Sequence, residues 1–260
     1  MARDSQVERE FGVPFPGKIL PEERWTRTAL KNLPQTERLD WTAIFGRAAP
    51  VVIDLGCGNG RFILGSAIAR PEFNHLGLDV LPMVIRYATR RGNQRGLKHV
   101  RFAVRGAFEF LADLVAPRSV REIHLYHPQP YHDVEKSHRR LVTPEFLGLV
   151  HRSLEPGGLF VLQTDNAAYW NYMRAIVPHY FDFHDHASAW PDAPHGRTRR
   201  EIIARGQGLK IYRGWGTSQP DLPDAQIAEL TRTLPLPRFD TSRSPTRRDE
   251  QFKHDDEGLA

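Results

Sequence analysis

The chain has 260 residues, of which 40% are hydrophobic and 26% are charged, with a net charge of +5 and one cysteine. These values predict a globular α/β domain and exclude a fold built on internal disulfides. Apolar runs stay shorter than the roughly 18 residues that span a bilayer, and the polar N-terminus lacks the apolar segment of a signal peptide. We therefore expect a cytoplasmic protein without a membrane partner, and its positive charge favours an anionic one.

An N-terminal arm over residues 1–37 comes first. Residues 1–24 contain prolines and scattered charges without a sustained period, which predicts an extended, mobile segment. A short helix is predicted over residues 25–33, broken by Pro34. Another helical pattern over residues 39–46 ends on a glycine, as helix C-termini often do.

Strands and helices then alternate along the chain. Apolar and β-branched runs predict strands over residues 51–55, 75–79, 99–104, 122–126, 159–163, 180–186 and 210–215. Helical patterns lie over residues 62–69, 82–91, 108–115, 168–177 and onward from Thr143, which can cap its helix. This alternation predicts a doubly wound α/β fold with a mostly parallel seven-stranded sheet flanked by helices, which binds ligands at the carboxyl ends of the strands. The domain covers residues 38–217, and the proline-rich, charged residues 218–260 predict a largely disordered tail.

A glycine-rich turn follows the first strand of this series. Gly56, Gly58 and Gly60 let the backbone turn tightly and approach a bound ligand. Such a turn fits both dinucleotides and S-adenosylmethionine. Asp54 would repel a pyrophosphate but suits the ammonium and sulfonium groups of S-adenosylmethionine, so we favour the latter. Asp79 is placed to accept the ribose hydroxyls of either cofactor, and helix capping by both acids is the alternative.

The loop over residues 126–141 is the most distinctive stretch. It contains Pro128-Gln129-Pro130-Tyr131 and, further on, Arg139-Arg140. Together with Leu39-Asp40-Trp41, the glycine turn, Thr164-Asp165-Asn166 and Thr198-Arg199-Arg200-Glu201, this loop resembles the bacterial tRNA (guanine-N7)-methyltransferase family, whose loop reads Pro-Asp-Pro-Trp before a basic stretch. The resemblance covers about residues 38 to 215 through several separated motifs in the same order.

The resemblance implies a Rossmann-like methyltransferase that moves a methyl group from S-adenosylmethionine to N7 of a guanosine in the variable loop of tRNA. It implies catalytic roles for Gln129 and Asp165. The expected cofactor-binding residues are Asp54, Gly56, Gly58, Gly60, Asp79, Gly106 and Gln129. The expected substrate-binding residues are Asp133, Arg139, Arg140, Asp165, Thr198, Arg199, Arg200 and Glu201.

Several positions depart from the family pattern. Gln129 and Tyr131 replace the acid and the tryptophan of the family loop, and Gly106 replaces an acid after the third strand. Asp133 and Glu135 stand where basic residues are expected. The reaction tolerates Gln129 because guanine N7 carries a free lone pair and no proton, so no general base is required.

Asp165 is the leading candidate for guanine contact, since a carboxylate can accept from N1–H and the exocyclic amine. Thr198 and Glu201, brought in from a later loop, could complete that pocket. The alternative for Asp165 is a helix N-cap. The basic residues near the motifs favour contact with RNA phosphates; they are Arg139, Arg140, Arg197, Arg199 and Arg200. A second group of basic residues, between Arg86 and Lys98, is predicted to form an ordinary solvent-exposed face.

A metal site is not expected, because the 12 histidines have no cysteine partners and match no familiar zinc spacing. Three alternatives stay open: a methyltransferase of the same fold acting on a small molecule or a protein, a non-catalytic RNA-binding relative and, last, a dehydrogenase. The oligomeric state is open as well, with a monomer among the options.

Overall fold

The computed structural model describes residues 7–241. It begins with a hairpin of β1 (Arg9–Glu10) and β2 (Val13–Pro14), a 3-10 turn (Glu22–Arg24) and α1 (Trp41–Phe45). The alternating part contains β3 (Val51–Leu55), α2 (Arg61–Ala69), β4 (Asn74–Asp79), α3 (Pro82–Gln94), β5 (Val100–Val104), α4 (Ala107–Glu109) with a π turn (Phe110–Leu114), and β6 (Val120–Tyr126). After a 3-10 helix (Val134–Arg139) come α5 (Pro144–Ser153), β7 (Leu154–Thr164), α6 (Ala167–Ile176), a 3-10 turn (Val177–His179), β8 (Phe181–Asp185), α7 (Arg199–Gly206), β9 (Tyr212–Ser218) and α8 (Asp224–Thr233).

The main sheet has seven strands in the order β5-β4-β3-β6-β7-β9-β8. The five strands from β5 to β7 are parallel, whereas β9 runs antiparallel to both β7 and β8. The predicted doubly wound, mostly parallel α/β sheet is therefore confirmed. Strand order reverses between β3 and β6, which is where a crevice opens in folds of this kind.

Alternate residues of β3 supply two separate cores. Val51, Ile53 and Leu55 join one apolar cluster, and Val52 joins a second cluster on the other face. All five residues of β3 are buried, because helices cover both faces of a parallel sheet. The same alternation turns Asp54 toward the face of Val52, at the carboxyl end of the strand.

Helix ends follow local sequence signals. Asp40 caps α1 by accepting from the backbone nitrogens of Thr42 and Ala43, and Gly46 ends that helix in the left-handed region at φ 71°. Thr143 caps α5 by accepting from the backbone nitrogen of Phe146. The predicted capping role of Thr143 and the glycine end of α1 are thus confirmed.

The N-terminal arm differs from its prediction in two ways. The helix predicted over residues 25–33 is wrong, because this segment lies extended beside β5, where the backbone of Thr28 and Leu30 pairs with Phe102. The open edge of β5 offers hydrogen bonds that local helix propensity cannot match. Residues 7–24 are largely extended, as predicted, apart from the hairpin turn and the 3-10 turn Glu22–Arg24, but they are anchored to the domain, with Phe15 only 2% exposed. Residues 1–6 lie outside the described residues.

The prediction of a disordered tail is wrong for residues 219–241. This segment forms α8, which packs on α5 with Ile227 against Gly148, and then returns to the loop after β6. Apolar residues between the prolines, such as Leu222, supply enough burial to order it. Residues 242–260 lie outside the described range, and the division into residues 1–37, 38–217 and 218–260 stays a prediction.

Membrane-spanning helices were predicted to be absent. Within residues 7–241, no helix is both long enough and apolar enough to cross a bilayer.

Candidate active site

A cavity of about 840 Å³ lies at the carboxyl ends of the parallel strands. It brings together most of the residues predicted to form the site: Asp54, Gly56, Gly58, Asp79, Gly106, Gln129, Arg139, Arg140, Asp165, Thr198, Arg199 and Arg200. Gly60, Asp133 and Glu201 are not part of its lining. The binding role of each residue stays a prediction. The contacts that each side chain makes in the folded chain limit which of these roles it can have.

Asp54 is a buried carboxylate in need of a partner. It is 2% exposed, and its Oδ1 has no hydrogen-bond partner among the described residues. Burial, together with the nearby charge of Asp79, raises the pKa of Asp54 well above its usual range. Because an isolated buried charge is costly, this position favours a ligand that brings a positive charge.

Asp79 holds the glycine turn and still faces the cavity. Its Oδ2 accepts from the backbone nitrogen of Gly58 at 3.0 Å and its Oδ1 from that of Leu81 at 3.0 Å. Burial raises the pKa of Asp79, and the backbone hydrogen bonds work in the opposite direction. The backbone of Val80 contributes as well, so three of the roughly four acceptor positions of the carboxylate are used and one can accept from a bound hydroxyl.

The three glycines of the turn have different roles. All of them have positive φ, at 75° for Gly56, 51° for Gly58 and 81° for Gly60. A Cβ on Gly60 would lie 3.0 Å from the Ala88 Cβ and 3.2 Å from the Phe102 ring. Gly60 therefore permits close packing behind the turn at the start of α2, and direct ligand contact by Gly60 is not supported.

Gly106 lies in the cavity lining beside a carboxylate that sequence reasoning missed. A side chain on Gly106 would collide with Oε2 of Glu109, which also lines the cavity. The carboxylate of Glu109 thus occupies the space in which a side chain at position 106 would begin. The spacing of three residues at the start of a helix, which lets a side chain reach back toward the N-cap, was the signal that could have found it.

Asp165 is held ionised by two neighbouring side chains, those of His127 and Arg200. His127 Nδ1 lies 2.9 Å from its Oδ1, and Arg200 Nη2 donates to its Oδ2 at 2.7 Å. Burial by itself would raise the pKa of Asp165, but His127 and Arg200 outweigh it and hold that pKa well below its usual range. The alternative reading as an N-cap is wrong, because Asn166 caps α6 by accepting from the Tyr169 nitrogen.

His127 connects Asp165 to a buried polar network that sequence reasoning missed. Trp190 donates to Gln163 Oε1 at 2.6 Å, which fixes the amide so that Gln163 Nε2 faces His127 Nε2 at 2.8 Å. Since the amide nitrogen donates, His127 Nε2 accepts, and we infer that Nδ1 carries the proton donated to Asp165. The backbone of His127 is left-handed, at φ 51°, so the network holds the ring against local strain.

Glu201 is a structural residue in this arrangement. It is fully buried, pairs with Arg213, and accepts from Gln163 at 3.1 Å and from the backbone nitrogen of Arg197 at 2.8 Å. The structure therefore does not support its predicted contact with substrate. Thr198 caps α7 by accepting from the Glu201 nitrogen at 3.1 Å, and it also lines the cavity. Thr198 and Glu201 were expected in a loop because the short helix α7 was not predicted.

Asp133 is exposed and caps the 3-10 helix after the loop, accepting from the Glu135 nitrogen at 3.0 Å. This position outside the cavity lining leaves no contact with a ligand inside it. Gln129 lies at the exposed rim of the cavity, as the predicted loop position requires.

Arg140 was predicted to bind phosphate, and its burial contradicts this. The residue is 1% exposed and donates to the backbone carbonyls of Pro130, Tyr131, Pro237 and Phe239. Its guanidinium carbon also lies 3.8 Å from the centre of the Phe239 ring. Arg140 therefore ties the loop after β6 to the C-terminal segment 237–239, whereas its neighbour Arg139 is exposed and can reach a phosphate.

Replacing Arg140 with methionine is expected to lower the free energy of unfolding by at least about 3 kcal/mol, because four carbonyls lose their donor and each one left buried without a donor costs about 1–3 kcal/mol. Urea-induced unfolding of the purified protein measures this difference. The matched control is Arg139→Met, which should leave stability unchanged. An equal effect of the two substitutions would contradict the assignment.

Metal ligands were not expected in this protein. Across the described part of the chain, no group of three or more His, Cys, Asp or Glu side chains is arranged to hold a metal ion.

Comparisons with known proteins agree with this geometry. Residues 48–213 match the family described as putative methyltransferase. A tRNA (guanine-N(7)-)-methyltransferase of Sodalis glossinidius is 31% identical over 177 residues, which cover 67% of this chain and 74% of that protein. Another, from Nitrosococcus oceani, is 31% identical over 208 residues, covering 80% of this chain and 87% of that protein.

A solved structure supports the fold alone. The crystal structure of the 16S rRNA methyltransferase KamB superposes with a TM-score of 0.55 at 16% identity, covering 75% of this chain and 99% of that one.

Proposed function

This chain belongs to the tRNA (guanine-N(7)-)-methyltransferase family, and we propose that it transfers a methyl group from S-adenosyl-L-methionine to N7 of a guanosine in tRNA. The observation that carries the proposal is a single cavity with two different carboxylates. Asp54 is buried, and its Oδ1 has no hydrogen-bond partner within residues 7–241, while Asp165 is kept ionised by His127 and Arg200. One end of the cavity thus suits a cationic cofactor and the other a purine that becomes positively charged.

The carboxylates at this end of the cavity fit the cofactor. Bound S-adenosylmethionine would supply a methyl group on a sulfonium, ready for a one-step transfer. Asp54 Oδ1 would accept from its ammonium group, and Asp79 would accept from its ribose hydroxyls. Glu109, beside Gly106 at the end of β5, lines the same side of the cavity. These assignments rest on the uncompensated acceptor of Asp54, which no described residue satisfies.

At the substrate end, the carboxylate of Asp165 lines the cavity, where His127 and Arg200 hold it. It can accept from N1–H and the exocyclic amine of guanine, groups that adenine does not offer in this pattern. Guanine N7 is an unprotonated acceptor, so Gln129 need not act as a base. The ionised Asp165 also stabilises the positive charge that develops on the purine during transfer.

Basic residues at the cavity mouth suit an RNA substrate. Arg139 and Arg199 are exposed, and Arg200 is partly exposed beside Asp165. Arginines in such positions neutralise phosphates and release counterions. A tRNA substrate agrees with the cytoplasmic location that the single cysteine predicts.

The test is methylation of unmodified tRNA with isotopically labelled S-adenosylmethionine, followed by mass-spectrometric mapping of the product nucleoside. We expect one labelled methyl group on guanine N7. The matched control is the same tRNA carrying 7-deazaguanosine at the mapped position, which lacks the accepting nitrogen and should stay unlabelled. Transfer to another atom, or cofactor binding without any transfer, would contradict the proposal.

A further inference from the structure

Asn166 caps helix α6 with one end of its side-chain amide and leaves the other end for another partner. Its Oδ1 accepts from the backbone nitrogen of Tyr169 at 2.8 Å, and its own backbone nitrogen donates to Thr164 Oγ1 at 3.1 Å. Because a backbone N–H can only donate, the cap identifies which amide atom is the oxygen and so fixes where Nδ2 lies.

The amide nitrogen of Asn166 reaches the cavity. Within residues 7–241, Nδ2 donates to no other group, and it is not one of the fully enclosed polar atoms that lack a partner there. It therefore touches open space, although Asn166 as a whole is only 9% exposed. The open space that this residue lines is the cavity at the ends of the strands. An amide donor consequently faces the place proposed for the target base.

Capping alone does not require asparagine at this position. Aspartate and serine cap helices about as well as asparagine does. Asparagine differs from both in carrying an amide donor group beside its accepting oxygen. Its neighbour Asp165 lines the same cavity with a carboxylate that is held ionised. The end of β7 thus presents a donor and an acceptor from consecutive residues.

This pattern of donor and acceptor matches the edge of guanine. Guanine presents the acceptor O6 beside the donor N1–H, whereas adenine presents an amine beside an unprotonated nitrogen. Proteins read unpaired RNA bases through hydrogen bonds to this edge. Adenine would place a donor against Asn166 and an acceptor against Asp165, and polar groups left unpaired in a buried site are costly.

We propose that Asn166 determines specificity for guanine by donating from Nδ2 to O6 of the target base, next to the N1–H contact proposed for Asp165. This inference rests on the proposed function. A site that hydrogen-bonds a polar group of its substrate strongly rejects an analogue without that group. Because Oδ1 is committed to the cap, the amide of Asn166 does not rotate to offer an acceptor to adenine.

The experiment compares methylation of two tRNAs by the full-length protein at saturating S-adenosylmethionine. One tRNA carries guanosine at the methylated position, and the other carries 2,6-diaminopurine riboside, which keeps N7 and the 2-amino group but has an amine in place of O6. Asn166→Asp retains the cap and turns an acceptor toward that amine. We expect kcat/KM for the guanosine tRNA to fall roughly 5- to 150-fold, and the preference for guanosine over diaminopurine to fall by a larger factor.

Asn166→Ser tests the same contact without adding a charge beside Asp165. Serine retains the cap but is too short to reach the base, so methylation of the guanosine tRNA should fall while that of the diaminopurine tRNA should not. Both variants should match the wild type in urea unfolding and in affinity for S-adenosylhomocysteine measured by calorimetry. The matched control is Asp40→Asn, which exchanges an acid and its amide at the cap of α1, outside the cavity lining. It should leave both methylation rates unchanged.

The outcomes distinguish this inference from the proposed function. An unchanged preference for guanosine in both Asn166 variants would overturn the specificity role and leave the methyltransferase proposal standing. Equal losses on the two tRNAs, together with lower stability or weaker S-adenosylhomocysteine binding, would also overturn it, because Asn166 would then be a structural residue. Failure of the wild-type protein to methylate the guanosine tRNA would overturn the proposed function and this inference together.

Discussion

Replacing Asp165 with asparagine is expected to lower kcat/KM for tRNA methylation about 100- to 1,000-fold, the usual cost of removing one group that stabilises a transition state. Asparagine has nearly the same shape but puts a donor where guanine needs an acceptor. It also removes the negative charge that His127 and Arg200 maintain in the folded protein. Single-turnover kinetics at saturating S-adenosylmethionine measures the effect.

The control for this substitution is Asp185→Asn. Asp185 pairs with Arg174 at 3.2 Å on β8, at the far edge of the sheet, and this ion pair is about half exposed. The Asp185→Asn substitution should leave methylation activity within about twofold of wild type, since an exposed ion pair contributes little. Asp165→Asn should also bind S-adenosylhomocysteine normally. Nearly unchanged methylation in Asp165→Asn would refute the guanine-contact role.

Replacing Asp54 with asparagine is expected to weaken S-adenosylmethionine binding by about 2–5 kcal/mol, the usual cost of truncating a buried charge pair, or roughly 30- to several thousand-fold. The same change should stabilise the cofactor-free protein, because it removes a carboxylate whose charge is disfavoured by burial and by Asp79. Calorimetry and urea unfolding measure the two effects. Their opposite signs are diagnostic, whereas a loss of both stability and affinity would indicate a purely structural role.

The raised pKa of Asp54 predicts a proton linkage. Burial and the charge of Asp79 let the folded, cofactor-free protein keep a proton that the unfolded chain has already lost. Stability of the cofactor-free protein should therefore fall as pH rises from the ordinary aspartate range up to the raised pKa of Asp54. A cationic ligand favours the ionised form, so binding should release a proton in that range.

Calorimetry in buffers of different ionisation enthalpy detects this proton. Asp54→Asn should abolish the part of the release that depends on Asp54, while Asp185→Asn should preserve it. A proton release that is the same in wild type and Asp54→Asn would assign the linkage to another group, such as Asp79, whose pKa is raised by burial as well.

The parts of the site that sequence alone predicted come from single continuous motifs. Asp54, Gly56, Gly58 and Asp79 lie at strand ends and in a turn whose geometry depends on neighbours in the chain, and the structure brings them into one cavity. The sheet was predictable for the same reason, because burial on both faces makes each parallel strand a short apolar run. The antiparallel pairing of β9 with β7 carries no comparable local signal.

Tertiary structure decided what each polar side chain contacts. Asp165 is contacted by His127 and Arg200, which lie 38 and 35 positions away in the sequence. Arg140 looked like an exposed cation in a basic loop, but carbonyls 97 and 99 positions away surround it in the folded chain. A charged side chain has the same local sequence whether it faces phosphate or a buried carbonyl, so its role depends on which distant segment covers it.

The amino-acid sequence by itself thus determined the fold class, the glycine turn and the acidic residues at the strand ends, because short-range periodicity and turn chemistry encode them. Only the tertiary structure showed that Glu201 and Arg140 are buried supports and that Glu109 lies beside Gly106. Those assignments depend on burial and on contacts between distant segments, which exist only once the chain has folded.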